Sequence, residues 1–179
     1  MREKIQLIIN SLRPAQLIVG YYIIVVSIST LLLSLPVAIK SNASWSFMDA
    51  LFTAVSAVSV TGLTTVNIAE TFTTTGLIFL IFILQIGGVG IMALGTFFWL
   101  IFRKKIGLKE RRLIMTDQNQ TNLSGLVRLL KQLLEVFVVT ELIGALILGI
   151  YFLHYYPNWQ EAFLHGFFSS VTATTNAGF

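Results

Sequence analysis

Two long stretches of this chain carry no charged side chain: 26 residues between Arg13 and Lys40, and 32 between Glu70 and Arg103. A bilayer core roughly 30 Å thick is crossed by about 20 helical residues. Inside that core every peptide N–H and C=O must find its partner within the protein, so runs of this length are read as helices. A cleaved signal peptide has an apolar core of only about 7–15 residues, which is too short for the first run. Pro14 suits a first helical turn, and Pro36 marks an end near the outer surface. A third apolar run, roughly Leu133 to Tyr155, carries two acids, Glu135 and Glu141.

The composition agrees. The chain is 55% hydrophobic and 11% charged, with a mean hydropathy of +0.82, outside the range of ordinary soluble domains. Twelve Lys and Arg oppose eight acids for a net charge of +4, and their placement says more than the total. Arg2, Lys4 and Arg13 precede the first run; Arg103, Lys104, Lys105, Lys109, Arg111, Arg112, Arg128 and Lys131 separate the later ones; Lys40 alone is left over. Beside apolar spans this is the positive-inside pattern rather than a nucleic-acid patch. It predicts a cytoplasmic amino terminus (1–13), a cytoplasmic basic linker (103–131), and spans running out, in and out. Trp45, Trp159, Tyr155 and Tyr156 then fall at an outer aromatic belt and Trp99 near the inner one. The absence of cysteine removes disulfides, thiolate nucleophiles and cysteine-based zinc sites. With two histidines, His154 and His165, and few acids, metal clusters are poorly supplied. No cofactor and no enzyme activity is expected.

Between the spans, a short polar segment occurs twice. Leu51-Phe52-Thr53-Ala54-Val55-Ser56-Ala57-Val58-Ser59-Val60-Thr61-Gly62-Leu63 reappears 116 residues later as Phe167-Phe168-Ser169-Ser170-Val171-Thr172-Ala173-Thr174-Thr175-Asn176-Ala177-Gly178-Phe179. Ser46 with Asp49 reads as a capping box opening a helix at about 47–58, and Asn158 with Glu161 repeats the pattern before a helix at about 159–173. Twelve helical residues reach only about 18 Å, part-way through a membrane. Non-helical backbone at that depth is tolerated where protein or water covers it, so the polar stretches imply a hydrated cavity. Carbonyl oxygens can replace the water of a cation there, and the partially negative carboxyl end of each half-helix favours it. Aiming consecutive carbonyls at one axis needs backbone angles that glycine adopts cheaply, which gives Gly62 and Gly178 a role. The alternatives are an ordinary turn at Gly62, and back-bonding to the helix by the hydroxyls of Ser56, Ser59, Thr61, Thr64 and Thr65.

Other features have competing explanations. Asp49 and Glu161 read as capping acids rather than ion ligands. Glu135 lies one turn after Lys131 and can pair with it. Glu141 is divided between a structural hydrogen bond and a role in gating or ion coupling. Gln85-Ile86-Gly87-Gly88-Val89-Gly90 offers close packing or a bend. Its fit to a loose dinucleotide fingerprint is rejected because the motif lies inside a span.

These residues resemble the Trk/Ktr/HKT potassium transporters, specifically the bacterial Ktr-type membrane subunit. The resemblance rests on Asp49–Ala54 leading to Val60-Thr61-Gly62-Leu63, on Leu84–Gly90, on Lys104–Arg111 and on Asn176-Ala177-Gly178-Phe179. It implies an all-α integral membrane protein built from potassium-channel-like repeats, each a spanning helix, re-entrant pore helix and filter, and a second spanning helix. Four repeats surround one pore, of which this chain holds about one and a half. The first would occupy 14–102, with spans at about 14–39 and 73–102, pore helix 47–58 and filter 59–63. The second would begin at 132–179, with a span at about 132–155, pore helix 159–173 and filter 175–179. By the same resemblance, Val60, Thr61, Gly62 and Leu63, and Asn176, Ala177, Gly178 and Phe179, are filter positions that bind K⁺ mainly through their carbonyls. It further implies K⁺ uptake across the bacterial plasma membrane, Na⁺ as an activator, homodimerisation, and a cytoplasmic nucleotide-binding regulatory ring. The basic stretch 103–112 would dock that ring, though attraction to lipid headgroups explains its charge equally well. The chain is expected to be the amino-terminal part of a longer subunit. The rival functions are a non-transporting membrane scaffold or assembly factor and, less well supplied with residues, an intramembrane enzyme.

Overall fold

The computed structural model describes residues 14–90, 115–116 and 126–179, which are helical with no strand among them. Helix α1 spans Pro14–Leu33, α2 Phe47–Val58, α3 Ile68–Thr71, α4 Thr74–Val89, α5 Leu126–Phe152 and α6 Trp159–Thr174. Residues 1–13, 91–114 and 117–125 lie outside the described residues, and with them the expected basic amino terminus, the far half of the second span and most of the basic linker.

Local chemistry sets most of the helix ends. Ser46 Oγ accepts the Asp49 N–H at 3.2 Å and Asp49 Oδ2 accepts the Ser46 N–H at 3.0 Å, a complete capping box for α2. Thr73 Oγ1 accepts the Gly76 N–H at the start of α4, and Asn67 Oδ1 the Ala69 N–H at the start of α3. The second expected capping box is absent: Asn158 makes no side-chain bond to the first turn of α6. Residue spacing permits a box but does not choose the rotamer. The entry to α6 is instead set by Tyr156, whose ring stacks on His165 two turns into the helix, 4.6 Å away and 12° from parallel.

Three boundaries differ from the expected ones. Helix α1 stops at Leu33 rather than continuing to 39, because Pro36 forces Leu35 into an extended conformation and opens a short 3₁₀ turn, Pro36–Ala38. Helix α5 is already helical at Leu126, inside the expected linker, and ends at Phe152, where Leu153 and His154 turn away. The described part of the second span closes at Gly90, whose φ of +91° ends α4.

Two of these helices, α1 over Gln16–Leu33 and α5 over Lys131–Phe152, are long and apolar enough to cross a membrane. Their outward faces are apolar as well: Val19, Ile23 and Ile28 on α1, and Leu142, Leu146 and Ile150 on α5, are all exposed. Surfaces this apolar are not left facing water, so the protein is membrane-embedded. Between helices in lipid there is little hydrophobic gain, and small residues that allow close packing take over. Accordingly Gly144 lies against Ser170, and Gly166 against the backbone of Gly149, where α5 meets α6. Helix α1 packs on α2 as α5 packs on α6, and α4 lies between the pairs, against α2 and α6. Leu33, Ala54, Ala57, Phe72, Leu80, Leu84 and Val171 are fully buried at this junction.

Candidate functional site

Helices α2 and α6 end in the same way. At α2 the Val60 N–H bonds the Ala57 carbonyl at 3.2 Å and the Thr61 N–H bonds the Ser56 carbonyl at 2.8 Å. At α6 the Asn176 N–H bonds Ala173 at 3.1 Å and the Ala177 N–H bonds Thr172 at 2.9 Å. These are Schellman ends, which require a left-handed residue just past the cap. Val60 (φ +55°) and Asn176 (φ +61°) fill that place, and two residues on Gly62 (φ +73°) and Gly178 (φ +71°) are left-handed again. The sequence pattern points to unusual angles at the glycines alone, and the structure adds Val60 and Asn176. Asn176 carried a signal, since Asn tolerates this region, whereas a β-branched residue such as Val60 argues against it.

The two loops also meet. A Cβ placed on Gly62 would overlap the carbonyl oxygen of Ala177, so only glycine lets the backbones approach this closely. Among the described residues nothing stands within 4 Å of a Cβ placed on Gly178. Thr61, Leu63, Asn176 and Gly178 are exposed, Val60, Gly62 and Phe179 are half-buried, and Ala177 is buried. All eight expected site residues are thus gathered at the carboxyl ends of two helices whose last turns carry no basic residue. Uncompensated helix carboxyl ends are partially negative, which suits a cation.

Three side-chain bonds hold the first loop. Ser56 Oγ accepts the Leu63 N–H at 2.8 Å, Tyr22 on α1 shares a 2.5 Å hydrogen bond with Ser59, and Thr65 donates to Asp49 Oδ1 at 2.7 Å. The hydroxyls of Ser56, Ser59 and Thr65 therefore brace the loop instead of bonding back to the helix. Back-bonding occurs elsewhere, at Ser27, Thr30 and Ser34 on and after α1 and at Thr175 after α6. The bonds to Asp49, from Ser46 first and then Thr65, hold its carboxyl below the usual carboxylate range.

The glycine-rich stretch of α4 serves packing. A Cβ on Gly87 would lie 2.6 Å from the Ala57 carbonyl oxygen and 2.7 Å from that of Val58, and one on Gly88 would overlap the Thr175 side chain. The pair therefore seats α4 against the ends of both α2 and α6. One turn back, Gln85 donates to the Glu141 carboxylate on α5, and Ser170 of α6 donates to the Glu141 backbone carbonyl at 2.9 Å. Glu135 pairs with Lys131 at 3.6 Å on the exposed side of α5.

Apolar helices with apolar outward faces, carrying two helix ends of matched geometry, define a membrane-embedded protein. The family described as TrkH, cation transport protein, matches residues 4–179, and the chain belongs to that Trk/Ktr family, whose members are transporters and not enzymes. It is 60% identical over 179 residues to Ktr system potassium uptake protein D of Bacillus subtilis, covering 100% of this chain and 40% of that protein. It is 39% identical over 166 residues to Ktr system potassium uptake protein B of the same organism, covering 93% of this chain and 36% of the relative. With the potassium/sodium uptake protein NtpJ of Enterococcus hirae it shares 37% identity over 168 residues, 94% of this chain and 37% of that one. The chain thus spans about two fifths or less of the length of these relatives.

Proposed function

We propose that the full-length subunit takes up K⁺ across the plasma membrane, and that these residues supply two quarters of its selectivity filter. The observation that carries this reading is the matched pair of helix ends, left-handed at residues 60 and 62 and again at 176 and 178, with Gly62 against the Ala177 carbonyl. Left-handed residues at every second position turn carbonyls toward one side, which is what a dehydrated cation needs. K⁺ would exchange water for the carbonyls of Val60, Thr61, Gly62 and Leu63 and of Asn176, Ala177, Gly178 and Phe179. The carboxyl ends of α2 and α6 would add a partial negative charge without a fixed anion that holds the ion too tightly. The names of the relatives, potassium and potassium/sodium uptake proteins, support the substrate class.

In this arrangement α1, α4 and α5 are the spans, α2 and α6 are re-entrant from outside, and the amino terminus is cytoplasmic. Two further quarters complete one pore, the subunit forms a homodimer, Na⁺ activates it, and a cytoplasmic nucleotide-binding ring docks on residues 103–112. The test is radioactive rubidium uptake by the full-length subunit in cells lacking other K⁺ uptake. Gly62→Ser is expected to lower K⁺ affinity or K⁺/Na⁺ selectivity by about tenfold or more, equivalent to roughly 1.4 kcal/mol. Unchanged values would refute the filter assignment, and the absence of any flux from wild-type protein would favour a scaffold.

A further inference from the structure

Glu141 is the one acid among the described residues whose side chain is buried, at 3% exposure. It lies in the middle of α5, and its surroundings hold little to solvate a charge. Gln85 bonds one carboxyl oxygen, and the other, Oε1, has no hydrogen-bond partner. The pair lines a cavity of about 330 Å³ together with Ile78, Phe82, Val138 and Phe167. Among the described residues no positive group stands opposite. Helix α4 has no ionisable side chain from Thr74 to Val89. On α6 the ionisable residues are Glu161 and His165, more than a turn from Ser170, where α6 touches the backbone of Glu141. On α5, Lys131 is engaged with Glu135, and Arg128 is nearly four turns away along the helix.

A carboxylate with one donor and an apolar wall is a poorly compensated ion, whereas a neutral acid suits the same place. A glutamine amide presents N–H or C=O to a neighbour after a half-turn, so Gln85 can bond Glu141 in either protonation state. In the neutral pair the acid O–H donates to the amide oxygen. The unpartnered atom is then a carbonyl oxygen, which costs far less to leave dry than a carboxylate oxygen. We infer that Glu141 is an intramembrane proton site: it is held as the neutral acid and, with Gln85, forms an uncharged tie between the inner helix of the first repeat and the first helix of the second. Because Ser170 bonds the backbone of the same residue, this tie also fixes where α6 stands relative to α4. The inference does not depend on the filter assignment, and it is tested without measuring transport.

The measurement is infrared spectroscopy of the full-length subunit in liposomes at neutral pH, following the carbonyl stretch of protonated carboxyl groups and its shift in heavy water. Wild-type protein should show such a band, Glu141→Gln should lose it, and Gln85→Leu should move it to higher wavenumber as its hydrogen bond is lost. No band in wild type, a band retained in Glu141→Gln, or a band that vanishes on adding K⁺ would each overturn the proposal, the last by making Glu141 a cation ligand. Should Glu141→Gln fail to fold, the wild-type band and its displacement in Gln85→Leu still decide the matter.

Discussion

The two helix ends share a backbone but not the side chains that hold it. Val60 and Asn176 occupy equivalent left-handed positions, one a β-branched residue that resists them and the other a residue that tolerates them. Ser56 reaches forward to the Leu63 N–H, while Thr172, its counterpart, bonds only Ser169 in its own helix. Tyr22 ties α1 to Ser59 in the first copy, and Val138 stands at the matching place in the second. What is kept is the path of the chain and its carbonyls. The first copy is braced by hydroxyls, and the second rests on its helix and on the α5 contact at Ser170.

The largest expected effect comes from the glycines. Alanine at either position meets the left-handed penalty of about 1–2 kcal/mol. At Gly62 it also drives a methyl group into the Ala177 carbonyl and forces the loops apart. Gly62→Ala should reduce rubidium uptake by at least about a hundredfold, since misplacing a positioned group by an ångström has that scale of cost. If four quarters ring one pore, each glycine faces the next loop, so Gly178→Ala in the full-length protein should be comparably damaging. A far milder loss at Gly178 would break the proposed equivalence. A reciprocal exchange is the next largest. Asn176→Val should cost about 1–2 kcal/mol, because an exposed position offers no packing in return, while Val60→Asn should be close to neutral or stabilising. Denaturation midpoints of the purified protein decide it, and equal costs in both directions would show that local strain is not what separates the copies.

How much of this could be read in the sequence follows from how local each interaction is. Helix α2 and its cap were legible because Ser46 and Asp49 act on each other across one turn. Gly62 and Gly178 stood out because glycine is the cheap occupant of left-handed backbone. Val60 did not, because the Schellman bonds override its propensity. The last charge-free residue before Lys40 lies beyond the end of α1, whereas Pro36 carries the signal for it. Tyr22 with Ser59, and Gln85 with Glu141, are separated by 37 and 56 residues, and no spacing rule pairs them.

A smaller effect should separate Ser56 from Thr172. Ser56→Ala leaves the Leu63 N–H of a half-buried bond without its acceptor, a loss of about 1 kcal/mol, with the first loop loosened. Thr172→Ala removes a buried methyl group and a bond back to the same helix but leaves no loop N–H without its acceptor. Hydrogen exchange at Leu63 should accelerate in the first variant and stay unchanged in the second. Acceleration in both would mean that the loops are held jointly through the Gly62–Ala177 contact rather than by their own side chains.

The smallest difference is one of pH. Asp49 belongs to the first copy, and His165 stands at the matching place in the second, stacked on Tyr156. Bonds from Ser46 and Thr65 depress the Asp49 carboxyl, so folding favours its ionised form. The stabilisation is therefore complete above the ordinary carboxylate range and is lost as pH falls through the lowered value. Asp49→Asn should melt slightly below wild type at neutral pH, and the gap should close on acidification, in the pH range where wild-type Asp49 takes up its proton. A gap that persists at low pH would assign the effect to hydrogen-bond geometry instead of charge. The brace on the first loop would then be independent of pH.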